Sequence, residues 1–296
     1  MTDFISLLST NQSFFFAVTF IFSLMVGSFL NVVIFRFPKM LEQGWKRECR
    51  EFLADELKEP ERNIDNEQNS ITLSKPSSTC PSCQHKIRFY ENIPVISWLF
   101  LRGKCSKCQN KISIRYPLVE LSTAVLSVVI AANFGVTITT LGLLVLTWGL
   151  VCLTLIDLDH MLLPDQFTLP LIWLGLVINI NGAIVPLSDA VIGAIVGYMS
   201  LFSIFWLFKL ITGKEGMGHG DFKLVAVFGA WIGWQLLPLL ILMASAVGAI
   251  IGISMMVFKN HQREQAIPFG PYLAIAGWIT LLWGEGIWAW YLSYLY

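Results

Sequence analysis

ITTLGLLVLTWGLVCLTLIDLDHMLLPDQFTLPLIWLGLVINI, residues 138–180, holds two apolar runs on either side of one short polar turn. The first run ends at Asp157 and the second begins just beyond Asp165. Each is close to the roughly 20 residues that a helix needs to cross the ~30 Å hydrocarbon core of a bilayer. The stretch therefore predicts two membrane helices joined at a turn that carries carboxylates. Outward from it the pattern repeats, with spans expected near 14–34, 117–134, 138–156, 167–184, 190–210, 222–235, 238–258 and 271–292. The fold class expected is an all-α polytopic membrane protein of about eight transmembrane helices.

Composition agrees. The 296 residues are 55% hydrophobic and 14% charged, with a mean hydropathy of +0.64. A soluble domain carries about 25% charged residues. Formal net charge is zero, so bulk electrostatics give no case for a nucleic-acid partner. Placement of charge says more than its sum. Of the 20 Lys and Arg, 15 lie between Arg36 and Arg115, and the rest fall at Lys209 to Lys223 and Lys259 to Arg263. All of them sit in or beside loops on one side of the eight-span arrangement, and the opposite loops carry none. The positive-inside rule then orients the chain with both termini outside and the basic loops in the cytoplasm. The first apolar stretch lacks a basic n-region and a small-residue cleavage site, and Arg36 follows it at once, so it reads as a retained helix.

The chain is expected to divide into a first span (1–35), a cytoplasmic insert (36–116) and a seven-helix membrane core (117–296). Residues 39–62 have the apolar spacing of an amphipathic helix, which either lies at the membrane interface through Trp45 or packs on the insert. Residues 63–79 read as a polar linker. Next, CPSCQHKI at 80–87 is repeated as CSKCQNKI at 105–112. Two CxxC turns at this separation match a four-thiolate zinc site, with Cys80, Cys83, Cys105 and Cys108 as ligands. Each turn offers two thiolates to one tetrahedral ion, which joins segments that have little core of their own. A disulfide pair is the competitor, disfavoured by a reducing cytoplasm. Cys49 and Cys152 read as small apolar residues.

Acids at membrane depth are costly and are functional candidates by default. Glu120 is expected in a structural ion pair or interhelical hydrogen bond, Asp159 in cytoplasmic water, and Asp165 as the N-cap of the helix after it. Asp189 and Glu285 fall on the outer side. Asp157 and Asp221 differ. Two spans lie between them, so both belong at one membrane face, and Asp221 closes the glycine-rich run GKEGMGHGD (213–221) at the start of a helix. Two carboxylates in one site cannot both ionise cheaply, so one keeps a proton while the other acts as base. Such a pair can activate water against a peptide carbonyl. Buried acids also line ion paths in transporters, and a scaffold with a zinc docking module would carry the same cysteines; both alternatives stay open here.

Beyond these readings, the chain resembles the type IV prepilin peptidases, the prepilin leader peptidase/N-methyltransferase family. The resemblance rests on GSFLNVVIFRFP (27–38), the paired knuckles, ENIPVISWL (91–99), ISIRYPLVE (112–120), IDLDHMLLPD (156–165), GKEGMGHGDFKL (213–224) and IPFGPYLA (267–274). It implies an inner-membrane aspartic protease with a GxGD motif, here Gly218 to Asp221, and with Asp157 as the partner acid. His219 takes the variable position of that motif, where no particular side chain is required. Lys223, one helical step further on, is expected to tune Asp221 or to anchor lipid headgroups. The resemblance also implies that basic leaders of type IV prepilins or type II secretion pseudopilins are cut after a glycine. The new N-terminus is then methylated from S-adenosylmethionine. No Rossmann-type glycine turn is present for that donor; the insert, with residues 98–108, is the implied contributor.

Overall fold

A computed structural model describes residues 2–57, 71–214, 216–259 and 268–294. Among them there is no strand, only two isolated bridges in the knuckle segment, so the all-α class holds. After a short α1 (Thr2–Thr10), helices stand at each expected span: α2 (Gln12–Leu57), α4 (Arg115–Phe134), α5 (Ile138–His160), α6 (Asp165–Ile178), α7 (Leu187–Thr212), α8 (His219–Ile232), α9 (Leu237–Lys259) and α10 (Gly270–Ser293). A five-residue α3 (Ile96–Phe100) lies in the insert. Helices α2, α4, α5, α7 and α9 are long and apolar enough to cross a membrane. Helices α6 and α8 have 14 residues each, or about 21 Å of rise. In α10, Gly, Trp and Glu285 dilute the apolar run.

The chain divides into two compact units, residues 11–128 and residues 1–10 with 129–296. In the first, α2 and α4 approach closely: a Cβ on Gly27 would lie 2.8 Å from the Cα of Glu120. Asn31 donates to the Tyr116 carbonyl at 3.1 Å, and Arg36 donates to the Thr72 carbonyl at 3.0 Å. The first span and the described part of the 39–62 segment form one helix, because α2 runs unbroken through Pro38 to Leu57. Pro38 forfeits one backbone hydrogen bond, but strong helix formers follow it (Lys39, Met40, Leu41, Glu42, Gln43), and no stop signal stands nearby. Residues 58–62 of the expected amphipathic helix, and 63–70 of the linker, lie outside the described residues. On the described part Trp45, Phe52 and Leu53 are exposed, while Gln43 Oε1 accepts from the Ile71 N–H at 3.3 Å. Cys49 is exposed too, not a packed apolar residue, because it lies on the same arm.

In the second unit α8 is the central helix. Nearly every residue from Asp221 to Ile232 is buried, and a helix apolar on all sides belongs inside a bundle. It meets α7 backbone to backbone: a Cβ on Gly229 would lie 2.1 Å from the Gly193 carbonyl oxygen. Such small-residue crossings pack membrane helices where no water drives them together. Trp231, fully buried, donates its indole N–H to the Leu171 carbonyl of α6 at 3.0 Å. Asn179, also fully buried, donates to the Ala230 carbonyl at 3.0 Å and accepts from the backbone N–H of Ile184 at 3.0 Å. It ties the end of α6 to the end of α8. Protein neighbours, not lipid, surround α8, so its short length carries no penalty.

Overpacking at the α7–α8 crossing costs about 1–3 kcal/mol or more. Gly229→Leu should therefore lower the unfolding midpoint of the purified protein in detergent. Gly286→Ala, which faces open space, should shift stability by less than about 0.5 kcal/mol.

Candidate active site and metal centre

Asp157 lies in the last turn of α5. The helix stops because Met161 takes a left-handed conformation, φ 52°, and donates its N–H back to the Asp157 carbonyl at 2.9 Å. Asp221 lies in the first turn of α8, whose N-cap is Gly218, and the Asp221 N–H donates to the Gly218 carbonyl at 3.2 Å. Free amides at a helix start favour a carboxylate there. Both side chains are nearly out of solvent, at 5% exposure for Asp157 and 6% for Asp221. Asp157 lies against Gly270 and Asp221 follows Gly220, and both glycines close on the same Leu163 side chain.

Contacts around them show how the pair is held. Asp157 Oδ2 accepts from the backbone N–H of Gly270, the first residue of α10, at 3.0 Å. A Cβ on Gly270 would lie 2.6 Å from that same oxygen. Leu163, in the connection from α5 to α6, fills the space between the two helix starts. It lies 2.6 Å from where a Cβ on Gly220 would be, and 3.2 Å from one on Gly270. Gly220 and Gly270 are thus required by close approach. Gly218 is not, since a Cβ there would meet only Asp221 Oδ2 at an ordinary 3.6 Å.

The other candidate acids are placed elsewhere. Asp165 is the first residue of α6 and not its N-cap, a position taken by Pro164 with no side-chain cap. Its carboxylate instead accepts from Lys223 Nζ at 2.6 Å, which also gives Lys223 its partner. The reason is the spacing: Pro164 already fixes the extended backbone a cap needs. Glu120 is buried, and its Oε2 accepts from the Val95 N–H at 2.7 Å, an interaction within the first unit. Asp159 and Glu285 are exposed, and Asp189 is half-buried and accepts from Gln235 Nε2 at 2.9 Å. His219 sets its ring against Phe205 and Phe222, with centroids 5.1 and 5.5 Å away.

The four cysteines of the first unit converge. All four sulfurs lie within 4.8 Å of one another, with Cys80 to Cys108 at 3.7 Å and Cys83 to Cys105 at 4.0 Å. A tetrahedral ion with sulfur bonds of about 2.3 Å sets its ligands about 3.8 Å apart, close to these two separations, so the cage is compatible with zinc. The sequence repeat is also a structural one. The Gln84 and Gln109 N–H groups donate to the Cys80 and Cys105 carbonyls at 2.9 and 3.0 Å, with φ of 55° and 58°. Bridges Thr79 to Lys86 and Lys104 to Lys111 close both turns. Backbone N–H groups of Cys83 and Ser82 pull the Cys80 thiol down to about 6, and those of Cys108 and Lys107 lower Cys105. Each turn thus aims amide N–H groups at the first sulfur of its knuckle, which favours the thiolate there. Glu91 braces the pair of knuckles: its carboxylate accepts from the Arg88 N–H at 2.9 Å and the Ser106 hydroxyl at 2.7 Å. The first of these bonds, then the second, holds it below the usual carboxylate range.

Sequence reasoning did not single out Gly270 or Leu163. Their roles are a backbone donor and a filler, which no side-chain pattern announces; only the run at 267–274 marked the region.

Against known proteins, residues 21–134 match the Bacterial Peptidase A24 N-terminal domain, and residues 144–253 match the Type IV leader peptidase family. A protein of Aeromonas salmonicida named prepilin leader peptidase/N-methyltransferase is 57% identical over 94% of each chain. One of the same name from Pseudomonas aeruginosa is 54% identical over 97% of each, and one from Neisseria gonorrhoeae 48% over 93%. No solved structure matches the chain.

Gly220→Ala and Gly270→Ala should both lower the unfolding midpoint in scanning fluorimetry, by forcing Leu163 or Asp157 aside. Gly218→Ala should leave it near wild type.

Proposed function

The chain belongs to the type IV leader peptidase family, and from that premise we propose that Asp157 and Asp221 form its catalytic pair. The protein is a membrane enzyme that removes the basic leader of type IV prepilins or type II secretion pseudopilins after a glycine, then methylates the new N-terminus. The observation that carries the peptidase half is the pair of buried carboxylates, Asp157 at the end of α5 and Asp221 at the start of α8, gathered around Leu163. One proton shared between them makes one group a base and the other an acid, a property of the pair and not of either residue. The base takes a proton from water, the oxygen attacks the glycine's own carbonyl carbon, and the acid protonates the next residue's nitrogen as the C–N bond breaks. The Gly270 N–H fixes the Asp157 rotamer during both transfers.

Charge placement supports an inner-membrane orientation with both termini in the periplasm and the aspartates at the cytoplasmic face. That is where a basic leader stays while its apolar pilin helix enters the bilayer. The division into a first span (1–35), an insert (36–116) and a core (117–296) belongs to the same proposal. So does zinc as the ion held by Cys80, Cys83, Cys105 and Cys108, a closed four-thiolate set suited to structure rather than catalysis. S-adenosylmethionine, when bound, supplies a methyl group that the amine takes with its lone pair, while the broken C–S bond leaves its electrons on sulfur and the surplus nitrogen proton passes to water.

Mass spectrometry of the N-terminus of a co-expressed prepilin reports both activities. Asp157→Asn keeps an oxygen for the Gly270 N–H, so it should fold. It and Asp221→Asn should each cut leader removal by at least about 100-fold, the usual share of a general acid or base. Retained cleavage in either variant contradicts the dyad. Cys80→Ser should lose the metal, read by plasma emission, and destabilise the insert.

A further inference from the structure

The knuckle module carries an apolar surface that neither the sulfur cage nor the peptidase chemistry uses. In α3, Trp98 turns inward: its indole N–H donates to the Ile112 carbonyl at 3.3 Å, and a Cβ on Gly103 would lie 2.8 Å from its ring. Ile96, Leu99 and Phe100 stand at i, i+3 and i+4, so they share the face opposite Trp98. They are 50%, 61% and 84% exposed, and Phe89, just before them, is 89% exposed. Tyr90, Ile93, Ile96 and Phe100 line one open cleft flanked by Arg88 and Lys107. A contiguous apolar surface of this kind marks an interaction site. We propose that it docks on the bilayer, with its apolar side chains in the headgroup region and its cations on anionic phospholipids. The proposal goes beyond the catalytic pair and does not depend on it.

Depth is the first argument for lipid. The N–H of Val95, the residue before α3, donates to Glu120 Oε2 at 2.7 Å. Glu120 belongs to α4, whose 20 residues are apolar enough to cross a membrane and about as many as its hydrocarbon core requires. At about 1.5 Å per residue, Glu120 lies about 7.5 Å inside the start of that helix. Gly27 of α2 backs the same residue, since a Cβ there would come within 2.8 Å of the Glu120 Cα. The start of α3 is therefore moored below the end of a membrane helix. That is the headgroup and acyl boundary, where interfacial apolar faces sit about 5–10 Å deep. Charge is the second argument. Between residues 71 and 114 the only acid is Glu91, against seven Lys and Arg, Arg88, Arg102 and Lys104 among them. Both Glu91 oxygens are engaged within the module, by the Arg88 N–H and the Ser106 hydroxyl, with His85 Nε2 3.3 Å away. Positive charge beside exposed rings is the combination that an anionic bilayer surface attracts. A soluble partner would need an acidic surface of its own and would have to reach α3 at membrane depth.

The test uses the full chain with its metal, reconstituted in nanodiscs of phosphatidylglycerol that hold a trace of phosphatidylcholine with a photoreactive acyl chain. After irradiation, lipid-bearing peptides are mapped by mass spectrometry, with α4 peptides as the internal standard. Lipid attached within residues 89–100 is expected. Labelled α4 peptides with no lipid in 89–100 would overturn the proposal. Replacing the phosphatidylglycerol by phosphatidylcholine should lower labelling of 89–100, relative to α4, at least about fivefold, the share of one Lys or Arg at an anionic surface. Equal labelling in the two lipids overturns the assignment to anionic phospholipid. A Phe89→Glu, Phe100→Glu double variant alters two exposed side chains, so its metal content and its unfolding midpoint in detergent should stay near wild type. Its labelling in phosphatidylglycerol discs should fall at least about tenfold, because two large apolar side chains no longer enter lipid. Unchanged labelling of that variant also contradicts docking through this surface.

Discussion

Two carboxylates held out of water beside one another impose the constraint on which the second unit depends. Moving a charged carboxylate into a low-dielectric interior costs several kcal/mol even after relaxation. A second charge next to it adds repulsion. The protein offsets part of this with the Gly270 N–H on Asp157 and the free amides at the start of α8 near Asp221. Among the described residues no cation pairs with either, and the nearby Lys223 is spent on Asp165. Under the proposed function a shared proton relieves the remaining cost, and the same proton serves the acid–base work.

Sharing a proton needs fixed geometry, and the packing provides it. Asp221 opens a helix buried by its neighbours, crossed by α7 at Gly193 and Gly229 with no side chain between the backbones. Trp231 and Asn179 lock the far end of α8 to α6. Asp157 is set by the start of α10. Three helix ends thus meet around Leu163, and none can slide without disturbing a buried hydrogen bond or a glycine contact.

Much of this was legible in the sequence because it is written in side-chain types. Apolar runs gave the eight helices, and the repeated CxxC turns gave the sulfur cage. Asp157 and Asp221 stood out as acids at helix ends. What escaped reading depends on backbone and on partners distant in sequence. The continuity of α2 through Pro38 was hidden because proline usually signals a break. The Asp165 pair with Lys223 was hidden because a carboxylate just after a proline looks like a cap. The donor on Asp157 is an amide of a glycine, invisible to any pattern of chemistry-bearing side chains.

The most direct measurement of the shared site is a thiol crosslink across it. The chain would carry Asp157→Cys and Asp221→Cys, with Cys49→Ser and Cys152→Ala and the knuckle cysteines untouched. A short bis-alkylating reagent applied to the folded protein should join the peptides containing positions 157 and 221 within one chain, as read by mass spectrometry. Separate modification of the two thiols, with no joined peptide from protein that retains its metal and its unfolding transition, would contradict a common site for the two carboxylates.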